Sequence, residues 1–253
     1  MRNKYTPLIL ASENGHLEVA KYLTSNGSDK ETKNKYEDTP LIVASRNGHL
    51  EVVKYLISVG ANKEAKNEHG DTPLNAASYY GHLEVVKYLI SVGANKEAKN
   101  NFGNTPLIGA SLNGHLEVVK YLISVGADKE TKNKWGDTPL MKASLNGHLE
   151  VVKYLITIGA DKETKNNDGD TPLIHASKGG HLEVVKYLIT IGADKETKNN
   201  DGSTPLIWAS AHGQLGVFKY LISIGANKDA KNNEGKTAMD VAKYKVKSYL
   251  KSL

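Results

Sequence analysis

The sequence predicts an all-α solenoid of helix-turn-helix repeats joined by hairpin-like loops. Three features support this prediction: a fixed period of 33 residues, two short amphipathic segments in each period, and a turn-rich segment between periods. A constant period of about 20 to 50 residues is typical of solenoids and arrays. Eight repeats are present, and the last one is altered. The marker is Thr-Pro, which begins at residues 6, 39, 72, 105, 138, 171 and 204, with Thr237-Ala238 in the same phase.

The fifth repeat shows how each element is predicted. Thr138 supplies a hydroxyl N-cap and Pro139 occupies the first helical position, so "PLMKASLN" is expected to be a short helix that stops at Gly147. "HLEVVKYLIT" is expected to form a second helix with one apolar face: Leu149, Val152, Leu155 and Ile156.

The segment that follows the second helix has the composition of a loop. Gly159 predicts a left-handed helix end, and "ADKETKNNDGD" has no helical stripe but contains an Asn-Asp-Gly turn signal. Each repeat is therefore predicted to be helix, turn, helix and hairpin-like loop.

The stretch "DTPLIVASRNGHLEVVKYLISVGANKEAKN" resembles the ankyrin repeat. The resemblance lies in its length, Thr-Pro-Leu, the Gly-His between helices and the Gly-Ala-Asn/Asp after the second, and it covers nearly the whole chain. It implies an ankyrin-repeat solenoid that binds partners in a concave groove. After Gly-Ala-Asp, where the family frequently has Val-Asn, this chain has Lys-Glu, as in Lys129-Glu130. The family's histidine after Thr-Pro-Leu is replaced by Ile9, Ile42, Asn75, Ile108, Met141, Ile174 and Ile207.

The two ends are expected to be capping repeats of a single domain over residues 1–253. Residues 1–33 form the N-terminal capping repeat, in which smaller or polar residues replace the apolar residues of repeat 2 and suit an outer face: Ala20, Thr24, Asn26 and Ser28. Residues 34–235 are internal repeats, and the lysine-rich residues 236–253 form the C-terminal cap. Terminal repeats need polar outer faces, which these changes would supply.

The sequence gives no sign of catalysis, a cofactor or a metal site. Six histidines occupy one repeated position and are expected to cap a helix or brace a loop: His16, His49, His82, His115, His148 and His181. Histidines at equivalent positions of successive repeats lie one repeat apart. Catalysis instead requires different chemical groups close together at one site. A metal site between His175 and His212 of neighbouring repeats is a minor alternative.

Variation between repeats is confined to the loop tips and to one face of the first helix. We call the third residue of each repeat the tip position, and its series is Tyr36, His69, Phe102, Trp135, Asp168, Asp201 and Glu234. The constant Leu140 and Ala143 are expected to face the core. The candidate partner-binding residues are Tyr36, Arg46, His69, Tyr79, Tyr80, Phe102, Leu112, Trp135, Lys142, Leu145, His175, Lys178 and Trp208.

We therefore expect a non-enzymatic module that binds a protein partner in its groove, with an aromatic centre and a basic or mixed far end. Random drift would give mostly polar surface residues, whereas exposed aromatic residues in a row mark an interaction site. Trp208 could instead be a packing residue. An engineered binder on this scaffold is an alternative, although three positions argue against a consensus design. Gly109 and Gly216 lie within helices, and Glu37 replaces the glycine of later loop tips, where glycine predicts a positive φ.

Charge and composition limit the classes of partner and the cellular location that we expect. The net charge is +5, but the excess lies at the two ends, and residues 5–235 carry −1. A nucleic-acid-binding repeat protein is thus the less favoured alternative, because such proteins usually have a basic stripe along the body. There is no cysteine, signal peptide or membrane span in the sequence, so we expect a monomer in the cytoplasm.

Overall fold

A computed structural model describes residues 6–251, and in that range every regular element is an α-helix. The first helices of repeats 1 to 7 begin at the repeated proline: α1 (Pro7–Glu13), α3 (Pro40–Arg46), α5 (Pro73–Tyr80), α7 (Pro106–Leu112), α9 (Pro139–Leu145), α11 (Pro172–Gly179) and α13 (Pro205–Ala211). The second helices are α2 (Leu17–Ser25), α4 (Leu50–Ser58), α6 (Leu83–Ser91), α8 (Leu116–Ser124), α10 (Leu149–Thr157), α12 (Leu182–Thr190) and α14 (Leu215–Ser223). The last helix is α15 (Tyr244–Lys251).

The helices form two compact units, an N-terminal unit that ends at Asp128 and a C-terminal unit that begins at Lys129. Within the N-terminal unit, α1, α3, α5 and α7 pack in succession, and α2, α4, α6 and α8 form a second row. Within the C-terminal unit, α9, α11 and α13 form one row, α10, α12 and α14 form the other, and α15 packs on α14. The repeated helix pairs predicted from the period are confirmed.

The first helices begin as the sequence predicts. The hydroxyl of Thr138 accepts a hydrogen bond from the backbone N–H of Met141 at 3.3 Å, and Pro139 follows at the first helical position. The helix ends at Leu145, and Gly147 has a φ of 76°. Leu140 and Ala143 are buried, as the constancy of these positions indicates.

The apolar face of the second helix is wider than predicted. Val151 and Val152 are both buried, together with Leu155, whereas Leu149 and Ile156 are only partly buried. The helix packs against α9 of its own repeat and against α12 of the next one. Because α10 packs against two other helices, both Val151 and Val152 are covered. A single apolar stripe along a helix does not predict burial of two consecutive residues.

The Lys-Glu pair in each loop ties neighbouring repeats together. In the N-terminal unit, Lys96 Nζ donates to the carbonyl oxygen of Val125 at 2.8 Å, beyond the end of α8. Glu97 Oε1 accepts from the backbone N–H of Asp128 at 3.0 Å. A lysine is favourable at a helix C-terminus, where carbonyl groups lack partners. These residues, which depart from the family pattern, thus connect one repeat to the next.

The repeated histidines His49, His82 and His115 bind backbone carbonyls at the ends of the preceding repeats' first helices, not the helices that they begin. His49 begins α4 without a side-chain capping bond, and its Nε2 lies 2.9 Å from the carbonyl oxygen of Glu13 in the preceding repeat. Glu13 is the last residue of α1, so His49 caps the C-terminal end of the preceding repeat's first helix, and the expected capping role is confirmed for this residue. At Gly48, a β-carbon would lie 2.5 Å from Nδ1 of His82, so close packing of the next histidine requires glycine there.

Of the four replacements predicted to suit an outer face in repeat 1, Ala20 and Thr24 face inward, whereas Asn26 is exposed and Ser28 is partly buried. Ala20 is fully buried, and the Thr24 hydroxyl is hydrogen-bonded to the hydroxyl of Tyr55 in repeat 2. Val19, by contrast, is 48% exposed, although its equivalent Val52 is buried. The reasoning from Ala20 and Thr24 was therefore wrong, because both lie on the covered side of the helix. The capping role of residues 1–33 remains a prediction.

Candidate functional site

An asparagine at the start of each loop fixes the tip position. In repeat 2, Asn34 Oδ1 accepts hydrogen bonds from the backbone N–H groups of Tyr36 and Asp38, at 2.8 and 3.0 Å. In repeat 4, Asn100 binds the N–H groups of Phe102 and Asn104 in the same way. A side chain that accepts two backbone bonds closes a tight turn. The tip side chains are therefore carried on an ordered backbone.

The N-terminal unit has a cleft of about 510 Å³ between the tips and the first helices. Its walls are formed by residues of repeats 2, 3 and 4. Seven of the predicted partner-binding residues line it: Tyr36, Arg46, His69, Tyr79, Tyr80, Phe102 and Leu112. The structure thus brings together the candidates that lie in this unit.

Four large aromatic side chains of the cleft are exposed. Tyr36, Tyr79, Tyr80 and Phe102 keep between 41% and 51% of their surface accessible, and Leu112 is partly buried. The rings of Tyr79 and Tyr80 meet edge to face with centroids 5.1 Å apart, and the His69 and Phe102 rings are 6.2 Å apart. These spacings are typical of aromatic pairs. The cleft therefore presents a contiguous aromatic surface.

The polar side of the cleft contains two carboxylates in different environments. Asp38 is buried, and its Oδ1 lies 2.6 Å from the guanidinium of Arg46 and accepts from Asn67 at 2.9 Å. Burial alone would lower the pKa of Arg46, but the hydrogen bond to Asp38 and its charge outweigh burial and raise it. Arg46 is therefore an internal counter-ion as well as a cleft residue.

Asp71 has no such counter-ion. Its Oδ1 accepts from the side-chain amide of Asn100 at 2.8 Å, and within residues 6–251 no lysine, arginine or histidine nitrogen lies within 4 Å of it. Burial raises the pKa of Asp71, and the hydrogen bond from Asn100 offsets only part of that effect. Asp71 is nonetheless partly accessible and lines the cleft.

The C-terminal unit carries the second group of candidate residues. Trp135 lies at its tip, 49% exposed, with Lys142 Nζ 5.8 Å from the ring centroid. Lys142 Nζ also lies 2.7 Å from Oδ2 of Asp137, and His175 Nε2 lies 3.4 Å from Oδ1 of the same carboxylate. Burial alone would raise the pKa of Asp137, but hydrogen bonds from His175, Lys142 and Asn166 hold it well below its usual range.

The predicted basic end of the surface needs correction. His175 is buried, only 5% exposed, and the Lys142 side chain is mostly covered and paired with Asp137. Both side chains contact Asp137, a carboxylate of this chain. Variation by itself does not separate such internal compensation from contact with a partner.

The remaining candidates of this unit are Leu145, Lys178 and Trp208. Leu145 and Trp208 are partly buried, and Lys178 Nζ lies 4.5 Å from the Trp208 ring centroid. The His212 ring also packs near Trp208, with ring centroids 5.2 Å apart. Because the Trp208 indole nitrogen is buried, the packing alternative for this residue gains support.

The structure describes no metal-binding cluster between residues 6 and 251, where no three histidine, aspartate or glutamate side chains are grouped suitably. His175 faces Asp137 and Asn166, whereas His212 packs on Trp208. These different environments give no support to the minor alternative of a site shared by the two histidines.

The sequence analysis missed the residue that precedes each Thr-Pro. This position carries Asp38, Asp71, Asp137 and Asp170 in four repeats. A comparison within the chain could have found their partners, because a basic residue follows Asp38 by eight positions and Asp137 by five. Both pairs are in contact in the structure.

These features define a helical repeat protein whose loop tips and first helices carry a preformed aromatic cleft. A family model described as ankyrin repeats (3 copies) matches residues 1–67, 59–133, 107–199, 157–232 and 191–251. The chain therefore belongs to the ankyrin-repeat family, whose members are generally protein-interaction modules and typically not enzymes. No curated protein matches it. None of the helices within residues 6–251 is long and apolar enough to cross a membrane.

Proposed function

We propose that this protein is a non-enzymatic module that binds a protein partner through its loop tips and first helices, the residues of the family's concave groove. The aromatic cleft of the N-terminal unit carries the proposal. It has a volume of about 510 Å³ and keeps four large aromatic side chains exposed. Exposed clusters of this kind are a common mark of protein interfaces.

The way the cleft is held supports a docking role. Asn34 and Asn100 fix the loop backbones that carry Tyr36 and Phe102. The loops are also joined to each other, since the N–H of Glu68 donates to the carbonyl of Tyr36 at 3.1 Å. Binding to a preorganised surface loses less conformational entropy than binding to a mobile one.

Trp135 provides a separate contact point in the C-terminal unit. A half-exposed tryptophan on a braced loop can bury a large area against a partner, and tryptophan is enriched among the residues that dominate binding energy. Its loop is held by Asn133, which accepts from the backbone N–H groups of Trp135 and Asp137 at 3.0 and 2.9 Å. Lys178 and Leu145 would contribute at the edge of this contact.

The charges in the cleft favour a protein partner over nucleic acid. Asp38 and Asp71 both line it, and the Arg46 charge is paired with Asp38. A phosphate backbone would meet an uncompensated carboxylate there. Affinity for nucleic acid should also fall steeply between 50 and 200 mM salt, which distinguishes the two classes of partner.

The test compares partner capture by three forms of the immobilised protein. A variant with Tyr36, Tyr79, Tyr80 and Phe102 changed to alanine should lose a partner that the unaltered protein retains. Tyr22→Ala is the matched control, because Tyr22 is 68% exposed in the same unit but does not line the cleft. Equal capture by the fourfold variant and the control, with both folded, would refute the proposal.

A further inference from the structure

Four repeats place an aspartate before Thr-Pro, namely Asp38, Asp71, Asp137 and Asp170. Asp38 and Asp137 are each paired with an arginine or lysine of the same repeat. In repeat 2 the cation is Arg46, eight residues after Asp38, and in repeat 5 it is Lys142, five residues after Asp137. In repeat 6, Asp170 is followed at the same two distances by His175 and Lys178. In repeat 3 these two positions after Asp71 are occupied by Ala76 and Tyr79. Repeat 3 therefore keeps the carboxylate without either basic residue.

The space left by the missing cation is part of the cleft. Ala76 and Tyr79 both line it, and Tyr80, Phe102 and Asp71 form neighbouring walls. Since alanine replaces the much longer lysine of repeat 5, the region beside Asp71 is open instead of filled. The cavity, the carboxylate and the aromatic faces are thus found at one place.

We propose that this cleft accepts one cationic side chain, a lysine or arginine of a partner protein, which pairs with Asp71 between the aromatic rings. This inference rests on the proposed function and names the chemistry of the partner. A cation near aromatic faces is stabilised by their quadrupoles, and more so when it is partly desolvated. The partner would supply the charge that Arg46 and Lys142 supply in their own repeats.

The charge balance of the cleft fits a single cation. The groups that line it are Asp38, Arg46, Asp71 and His69, with the phenols of the three tyrosines. Because Arg46 is paired with Asp38, Asp71 is the carboxylate of the cleft without an arginine or lysine within 4 Å among residues 6–251. Because burial raises the pKa of Asp71, a bound cation would also relieve the cost of ionising it.

The test uses N-acetyl-L-arginine methylamide and the lysine analogue as probes, titrated at millimolar concentration against the full chain. Backbone NMR shifts report on the cleft directly. We expect saturable shifts around Asp71, Tyr79 and Phe102, and none of these with the neutral citrulline analogue. Asp71→Asn should weaken binding about tenfold, since charge-assisted hydrogen bonds are roughly twice as strong as neutral ones.

Two further variants separate charge from shape. Ala76→Lys copies the arrangement of repeat 5 and should abolish probe binding by supplying an internal cation. Asp168→Asn removes an exposed tip carboxylate of the C-terminal unit and should leave binding unchanged. Thermal unfolding establishes that each variant is folded. If the citrulline analogue binds equally well, or if Asp71→Asn and Ala76→Lys bind the arginine probe like the unaltered chain, the proposal is wrong.

The two experiments distinguish failure of the cation site from failure of the aromatic docking surface. Loss of capture by the fourfold alanine variant, without any probe binding, would support aromatic docking and reject the cationic side chain. Probe binding that depends on Asp71, without loss of capture by that variant, would support the cation site and reject the aromatic surface as the docking site.

Discussion

Lys142 Nζ lies 2.7 Å from Oδ2 of Asp137, and both side chains are largely shielded from water. We expect Asp137→Asn to lower the free energy of unfolding by about 1.5 to 3 kcal/mol, because hydrogen bonds to charged groups contribute about that much. Asp71→Asn is the matched control at the same position of another repeat. It should cost less than about 1 kcal/mol or stabilise slightly, because no cation loses its partner. Equal losses measured by urea unfolding would contradict this distinction.

The same contacts predict a dependence of stability on pH. The pKa of Asp137 is lower in the folded chain than its unfolded value of about 3.9, so the folded state favours the ionised form. This contribution is fully present above the unfolded pKa and is lost progressively as the pH falls from that value through the lower folded pKa. The difference in unfolding free energy between the unaltered chain and Asp137→Asn, measured from pH 6 to pH 2.5, should therefore narrow towards the acid end. Parallel curves would contradict the assignment.

Glu37 is a place where a small change should stabilise the fold. It has a φ of 60°, whereas the equivalent position in later repeats is glycine, as in Gly70 with 75°. Glu37→Gly should raise the unfolding free energy by a few tenths to 1 kcal/mol, because glycine adopts this conformation without strain. The exposed ion pair with Lys33, at 3.1 Å, offsets little of that gain. Glu37→Ala, which loses the pair but keeps a β-carbon, should give no gain.

Trp135 and Trp208 should respond differently to truncation. Trp135→Ala should change the unfolding free energy by well under 1 kcal/mol, since half of the side chain is exposed. Trp208→Ala should cost more, because this side chain is partly buried and its ring lies near Lys178 and His212. In a Trp208→Phe background, Trp135 fluorescence should resemble that of a solvated indole and change on addition of the partner. If Trp135→Ala unfolds the protein, Trp135 is a packing residue.

Much of the fold could be predicted because the repeat shows each local signal several times. Thr138, Pro139 and Gly147 mark a helix start and stop whose chemistry is contained within a few residues. The positive φ of Glu37 followed from comparison with glycines in the same phase. The wider buried face at Val151 could not be predicted from one helix, because it depends on packing against a neighbouring repeat.

The candidate site was predicted less completely, for a physical reason. Exposed aromatic tips such as Tyr36 and Phe102 follow from the loop position and the turn residues around them. The burial of His175, however, depends on a carboxylate, Asp137, that lies 38 residues earlier in the sequence. Pairing over such separations is set by how repeats stack, so periodicity alone does not reveal it.

The central claim is that the partner docks on the loop tips and first helices, and site-specific photo-crosslinking tests it most directly. Benzoyl-phenylalanine would replace Phe102 in the cleft in one protein and Tyr22, outside the cleft, in another; both native side chains are exposed. We expect the captured partner to crosslink to position 102 and not to position 22. Crosslinking at position 22 alone would place the partner elsewhere and contradict the account.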